Sequence, residues 1–413
     1  MPAQGHKSIY QALGRHAVHP FPARMAPEIA LELLKPTKKP MRVLDPMMGS
    51  GTVVALARSN KHIGYGVDID PLANLIASVW TTAVDAKNVR NAARRVLNRA
   101  IADSGGMAAR DAYPRNANNT TRKFIRYWFD SQTRRQLATL SNSIMAVRNK
   151  SVRSALWCAF SRLIIAKRDG ASLALDLAHS RPHKYFTKAP ISPFDKFLIS
   201  VEFVLNNAVL KGSRATGPQT KVRKGDARKL LIKKNSIDLV LTSPPYLNAI
   251  DYIRCSKFSL VWMGHNVDSL SIIRKHSIGT EVGRKFENDK EIAAIVKELK
   301  IKNLSDRYRA IVAGYIDDMR SAIQEVSRVL VPGGSAVYVI GENTIAGVYV
   351  RNAKIIISLA RRSGLHLKSE TRRALPPNRR YMPPPKQTGE AAFDTRMRTE
   401  VVLRFRKPRV RAA

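Results

Sequence analysis

The sequence predicts an α/β fold, a doubly wound and largely parallel sheet interrupted by a basic, mostly helical insertion. Three observations predict it. Residues 41 to 71 run strand, Gly-rich turn, helix, strand and helix start, the first half of such a sheet. From residue 86 to about 195 the texture becomes helical and basic. From residue 222 the alternation of short apolar runs with helical periodicity returns, closing on a strand at 400–406.

The elements follow in order. Met41-Arg-Val-Leu-Asp45 is a short strand, and Val53–Ser59 starts the helix beyond the glycines. His62–Asp68 is the second strand, and Pro71 marks the start of the next helix. Asn88–Ala102, Ser131–Arg148 and Ser151–Lys167 repeat apolar residues at three- and four-residue spacing, with Asp130-Ser131 as a cap. Val222–Asp226 and Ile237–Thr242 read as short buried strands. Arg309–Val329 is helical, Pro332-Gly-Gly turns into the strand Ser335–Ile340, and Lys354–Ser363 is a further helix. The prolines of Ala374–Pro385 require a loop or polyproline segment.

Charge narrows the partner. The 413 residues hold 71 Lys+Arg against 31 Asp+Glu, a net charge of +40, with ordinary hydrophobic (44%) and charged (25%) fractions that exclude wholesale disorder. Residues 86–195 carry 21 basic and six acidic residues, net +15; residues 351–413 carry 17 and four, net +13. A solubilising surface or an arginine-rich genome accounts for any one cluster. Across the whole chain, self-repulsion calls for a polyanion, and nucleic acid leads over an anionic membrane surface. No apolar run approaches the roughly 20 residues of a membrane span, and the N-terminus lacks a signal-peptide core. Two cysteines, Cys158 and Cys255, exclude a disulfide framework and point to a reducing cytoplasm.

Two motifs carry chemistry. Leu44-Asp45-Pro46-Met47-Met48-Gly49-Ser50-Gly51-Thr52 sits at a strand-to-helix turn, where glycines permit close backbone approach and the helix start offers free N–H groups. No Lys-Ser/Thr follows, which excludes a P-loop, and Val54 stands where a dinucleotide fingerprint needs its third glycine. Asp68, closing the next strand, suits ribose hydroxyls. The second motif is Ser243-Pro244-Pro245-Tyr246 at the end of an apolar strand. Its prolines fix φ and remove two donors, leaving nearby carbonyls free to accept.

Together these motifs resemble the amino-methyltransferases of DNA, which methylate cytosine N4 or adenine N6 with S-adenosylmethionine. The resemblance covers roughly 17–85 and 220–405. It implies a Rossmann-like methyltransferase sheet: 1–85 as its first part, 86–195 as an inserted target-recognition element, and 196–413 as its second part. It implies S-adenosyl-L-methionine as cofactor, held by Phe21, Pro22, Asp45, Pro46, Gly49, Ser50, Gly51, Thr52, Asp68 and Asp226. Of these, Phe21 and Pro22 belong to the segment His19–Met25 that closes over the methionine end, and Asp226 lies near the adenine. It implies Ser243, Pro244, Pro245 and Tyr246 as the catalytic tetrapeptide, double-stranded DNA as substrate, and a restriction-modification setting that leaves room for a cognate restriction endonuclease.

An exocyclic amine is a poor nucleophile, its lone pair delocalised into the ring. Acceptors such as Ser243 Oγ and the Pro244 carbonyl favour a pyramidal nitrogen, and Tyr246 can stack on a flipped base. Cytosine C5 methylation is excluded, since neither cysteine follows a proline. No metal site is expected: His179 and His183 are four apart without a zinc signature. Cytosine N4 is favoured because a Ser-Pro-Pro-Tyr tetrapeptide goes mainly with that target in the family. Adenine N6, an RNA or tRNA base, and a catalytically silent nucleic-acid-binding protein stay open. For base reading, 86–195 is the first candidate and 263–307 the second, and Asn248, Asp251 and Tyr252 are candidates for the base pocket.

Overall fold

The computed structural model describes residues 7–21, 25–178, 182–212, 217–247, 251–280, 289–299, 304–345, 348–374 and 399–409. Two short helices, α1 (Ile9–Leu13) and α2 (Pro27–Leu33), lead into β1 (Arg42–Asp45), α3 (Thr52–Ser59), β2 (Ile63–Asp68) and α4 (Pro71–Thr81). Helices α5 (Ala86–Gly105), α6 (Asn119–Trp128), α7 (Ser131–Met145), α8 (Lys150–Ile164) and α9 (Pro193–Asn207) follow. The chain then forms β3 (Lys221–Lys224), β4 (Ile237–Thr242), α10 (Tyr252–Leu260), α11 (Val267–His276), α12 (Lys290–Glu298) and α13 (Asp306–Val329). It ends in β5 (Leu330–Gly341), the small hairpin β6 (Asn343–Ile345) and β7 (Val348–Val350), α14 (Asn352–Arg362), β8 (His366–Ala374) and β9 (Thr399–Arg406).

Seven strands make one sheet in the order β3-β2-β1-β4-β5-β9-β8. The first five are parallel, and β9 runs antiparallel to β5 and β8. From β1 the chain winds outward through β2 and β3, then returns to β4 on the other side. Parallel strands need crossovers, so the strand order reverses between β1 and β4. Their carboxyl ends frame the crevice where such sheets bind ligands.

Side-chain alternation sorts the core into two faces. Ala336, Tyr338 and Ile340 of β5 pack with α13 and α14, while Val337 and Val339 pack with α2 and α3. A separate core joins α4, α5, α7, α8 and α9 to α10 through Trp80, Phe160, Phe197 and Phe258. On α5 the buried positions are Val89, Ala92, Ala93, Val96 and Ala100, so its basic residues face outward. Asp130 caps α7 as its sequence suggests, accepting from Thr133 N at 2.9 Å.

Several elements depart from the sequence reading. Strand β3 is an edge strand with mostly exposed residues, not a buried one, and it ends before Asp226. Pro332-Gly-Gly is a bulge within β5: pairing jumps from Ile237↔Leu330 to Leu239↔Ser335, and Gly333 takes φ +79. Helix α6 and strand β8 were not anticipated. Of the proline-rich stretch, only Ala374 lies among the described residues. No described helix is long and apolar enough to cross a membrane.

Candidate active site

The crevice is built first from the turn after β1. Gly49 and Gly51 hold φ +49 and +86, a region that glycine enters at little cost. A Cβ on Gly51 would stand 2.7 Å from the Ala77 Cβ, so glycine lets the start of α3 press on α4. No side chain caps α3, and the buried Thr52 Oγ1 beside its first turn has no hydrogen-bond partner. Those unfilled donors suit a polar ligand.

Two carboxylates close the floor. Asp68 Oδ2 accepts from Gly49 N at 2.8 Å and Oδ1 from Asp70 N at 2.9 Å. Burial pushes its carboxyl above the usual range, while these amides pull the other way. Asp45 Oδ1 accepts from both Thr242 Oγ1 (2.7 Å) and Met47 N (3.2 Å). Burial pushes Asp45 up to about 7; the Thr242 and Met47 bonds oppose this, and the charge of Asp68 adds to it. The Thr242 bond ties the end of β1 to the residue just before Ser243.

The roof comes from elsewhere. Phe21 is buried, its ring edge 3.6 Å from where a Gly49 Cβ would stand, and it stacks on Tyr252 at 5.9 Å with an 11° interplanar angle. Pro22 and the rest of that segment to Arg24 lie outside the described residues. Pro46 and Ser50 sit in the glycine turn itself. Asp226 stands just past β3, near the crevice because Gly225 N donates to the Asp68 carbonyl at 2.9 Å. Its carboxylate pairs with Arg228 at 2.6 Å, and Arg228 also holds Asp318.

The second loop leaves β4. Pro244 is buried; Ser243, Pro245 and Tyr246 are half-buried. The Tyr246 ring lies on Gly341 at the end of β5, where a Cβ would meet Tyr246 Cε2 at 2.7 Å. Asn343 Nδ2 donates to the Leu247 carbonyl. Asn352 Nδ2 donates to the Gly341 carbonyl at 2.9 Å and to Asn343 Oδ1 at 3.0 Å. This brace holds the loop against β5. Glu342, between the two, is buried; burial raises its carboxyl, while the backbone N–H groups of Ala353 and Asn352 pull the other way. Thr242, Gly341, Asn343 and Asn352 were missed from sequence; only Thr242 had a signal, its place before Ser243. Asp251 caps α10 and pairs with Arg274 at 2.5 Å, while Asn248 lies outside the described residues.

The two candidate recognition segments meet. Phe124 and Trp128 of α6 pack on Phe258 of α10 at 5.1 and 4.9 Å. Asn118 Nδ2 donates to Asp268 Oδ2 at 2.6 Å, and Val267 N to Thr121 Oγ1 at 3.0 Å. The other face of α6 exposes Arg122, Lys123, Arg126 and Tyr127, with Lys184 over the Tyr127 ring at 5.2 Å. Among the aromatic residues interleaved with this charge, Phe129 and Trp157 are core and Tyr127 is open to a partner. Cys158 and Cys255 are free and buried. Among the described residues no three His, Cys, Asp or Glu side chains converge as metal ligands, and His179 lies outside those residues.

No protein-family model matches the chain. It is 24% identical over 381 residues to the type II methyltransferase M.MvaI of Kocuria varians, spanning 85% of this chain and 82% of that one. It is 21% identical over 372 residues to the type II methyltransferase M.AvaI of Nostoc sp., spanning 79% and 73%. Among solved structures, it aligns with a TehB-like SAM-dependent methyltransferase of Corynebacterium glutamicum at 9% identity and a TM-score of 0.30, covering 95% and 89% of the chains.

Proposed function

We propose that this chain is a site-specific DNA methyltransferase that uses S-adenosyl-L-methionine to methylate the exocyclic amine of a flipped base, cytosine N4 in preference to adenine N6. One observation carries the reading: the Thr242–Asp45 hydrogen bond joins the glycine turn to the Ser-Pro-Pro-Tyr loop at the crevice between β1 and β4. Similarity to two type II methyltransferases across most of each chain supports it, as does the +40 charge.

The residues present fit the cofactor. The Asp68 carboxylate is held by the amides of Gly49, Asp70 and Ile69 and keeps a lone pair for a ribose hydroxyl. Phe21, above Gly49, suits the methionine end, with Pro46, Ser50, Gly51, Thr52 and Asp45 lining the turn. Asp226 serves the adenine side, oriented by Arg228. When bound, the cofactor supplies an electrophilic sulfonium methyl. The chain supplies positioning. Ser243 Oγ and the Pro244 carbonyl accept the two amine hydrogens, so that the nitrogen lone pair points at the methyl. Tyr246, backed by Gly341, is placed to stack on the flipped ring. Pro245 keeps the turn rigid. No covalent enzyme intermediate is needed.

The helices of 86–195 form the recognition element in this reading, with the basic face of α6 toward phosphate and Tyr127 toward a base or sugar. A cognate endonuclease fits the type II setting named for the relatives, and buried free thiols fit a reducing cytoplasm.

Tritiated S-adenosylmethionine offered with duplex DNA, single strands and tRNA tests the proposal. Duplex DNA should take the label, Asp68→Ala should weaken cofactor binding, and Ser243→Ala should abolish turnover while both ligands still bind. Label entering only tRNA, or full activity of Ser243→Ala, would overturn it.

A further inference from the structure

At the opposite end of the sheet, the start of β8 and the end of β9 border an open pocket of about 480 Å³ lined by His366, Lys368, Arg406, Lys407, Pro408 and Arg409. Arg406 pairs with Ser335, six residues before Gly341 on β5, which places the pocket about 20 Å from the Tyr246 platform at roughly 3.3 Å per residue.

The charges in it are unbalanced. Nearer the catalytic end of this hairpin, cations have carboxylate partners: Arg373 with Glu28 (2.9 Å) and Glu400 (2.8 Å), Arg404 with Glu32 (2.6 Å). Among the described residues, no carboxylate lies within ion-pair distance of Lys368, Arg406, Lys407 or Arg409. Lys407 is pinned instead by neutral acceptors, Asn235 Oδ1 (2.9 Å) and the carbonyls of Ser327 (2.7 Å) and Leu330 (2.8 Å). Arg406 Nε donates to the Gly333 carbonyl at 3.2 Å. The β8–β9 ladder runs from Leu367↔Phe405 to Ser369↔Arg404 and skips Lys368, a bulge that re-aims one side chain. Lys368, Arg406 and Arg409 stand exposed around this open site, and their like charges repel one another until an anion enters.

We infer that this pocket is a second phosphate-binding site, holding the backbone of a DNA segment distinct from the one at the catalytic crevice. With the three donors of Lys407 already taken, Lys368, Arg406 and Arg409 keep donors to offer; their charge exceeds what a single inorganic phosphate balances and suits successive phosphates along a strand. The inference rests on DNA being the partner, so the test separates the two claims.

Lys368→Ala/Arg409→Ala in the full chain changes two exposed side chains and no catalytic or cofactor residue. An immobilised duplex loaded with wild-type protein should capture a second, labelled duplex, and the double variant should capture at least tenfold less. The salt slope of long-duplex binding should fall by about 1.8, at roughly 0.9 per lost phosphate contact. Methylation of a short duplex should be unchanged. Equal capture by variant and wild type would overturn the inference. So would thermal stabilisation by inorganic phosphate that depends on Lys368 and Arg409 without any difference in capture. If no nucleic acid is methylated yet the variant loses capture, the enzymatic reading falls and this site stands.

Discussion

Gly341→Ala tests how closely the Ser-Pro-Pro-Tyr loop is held. The new Cβ would stand 2.7, 3.0 and 3.1 Å from Cε2, Cζ and Cδ2 of Tyr246, where ordinary contact begins at 3.4 Å. The ring must therefore retreat by about 0.7 Å, the gap between 2.7 and 3.4 Å. It cannot do so freely, because Asn343 holds the next carbonyl and Asn352 holds that of Gly341. Gly341 is outside the left-handed region, so alanine adds no backbone strain. Overpacking of this kind costs about 1–3 kcal/mol of stability. A misplacement near 1 Å at a reacting centre costs about 100-fold in rate. Single-turnover transfer of tritium to duplex DNA should therefore slow by about 10- to 100-fold, with cofactor affinity retained. In a Tyr246→Ala background, Gly341→Ala should do nothing more, because the clashing ring is gone. A full rate in the single variant, or an additive loss in the double, would refute the reasoning.

Asp45→Asn should leave both bonds to Oδ1 in place and remove an ionisable group. Because Asp45 is raised to about 7, its folded form binds a proton that the unfolded chain releases near pH 3.9; the stability this gives is present below that pH and is lost as pH rises through 7. Denaturant unfolding should then show Asp45→Asn more stable than the parent at pH 8, by up to about 4 kcal/mol for a shift of about 3 units, with the gap closing toward pH 4. A gap of the same size at both pH values would contradict this. Replacing Lys123 and Arg126 on the open face of α6 by alanine should lower the salt slope of binding by about 1.8, read by fluorescence anisotropy across a salt series. An unchanged slope would remove α6 from the interface.

The parts of the site legible from sequence are those whose chemistry is local. Asp45, the glycines and Asp68 are legible because a strand end, a tight turn and a second strand end follow within 24 residues. The doubly wound, largely parallel character of the sheet followed from that same alternation, since parallel strands need crossovers. What was not legible depends on long-range contacts. Gly341, Asn343 and Asn352 lie about 100 residues beyond Tyr246 and acquire meaning once β5 pairs beside β4. Strand β8 reads His-Leu-Lys-Ser-Glu-Thr-Arg-Arg-Ala, too polar for a buried strand because it forms the sheet edge. Helix α6 was hidden for a related reason: Thr121 and Ile125 are its fully buried residues, and its packing comes from distant Phe258 and from α11. Asp226 was expected in a strand facing the adenine and instead follows an edge strand, clasped by Arg228.

The measurement that tests the central claim most directly is nucleoside analysis of DNA from a host expressing this chain, digested and separated by mass. The account predicts N4-methylcytosine, confined to one sequence context, and its loss in a host expressing Ser243→Ala. N6-methyladenine in its place would contradict the choice of base, and the absence of both modified nucleosides would contradict the assignment of the crevice to DNA amine methylation.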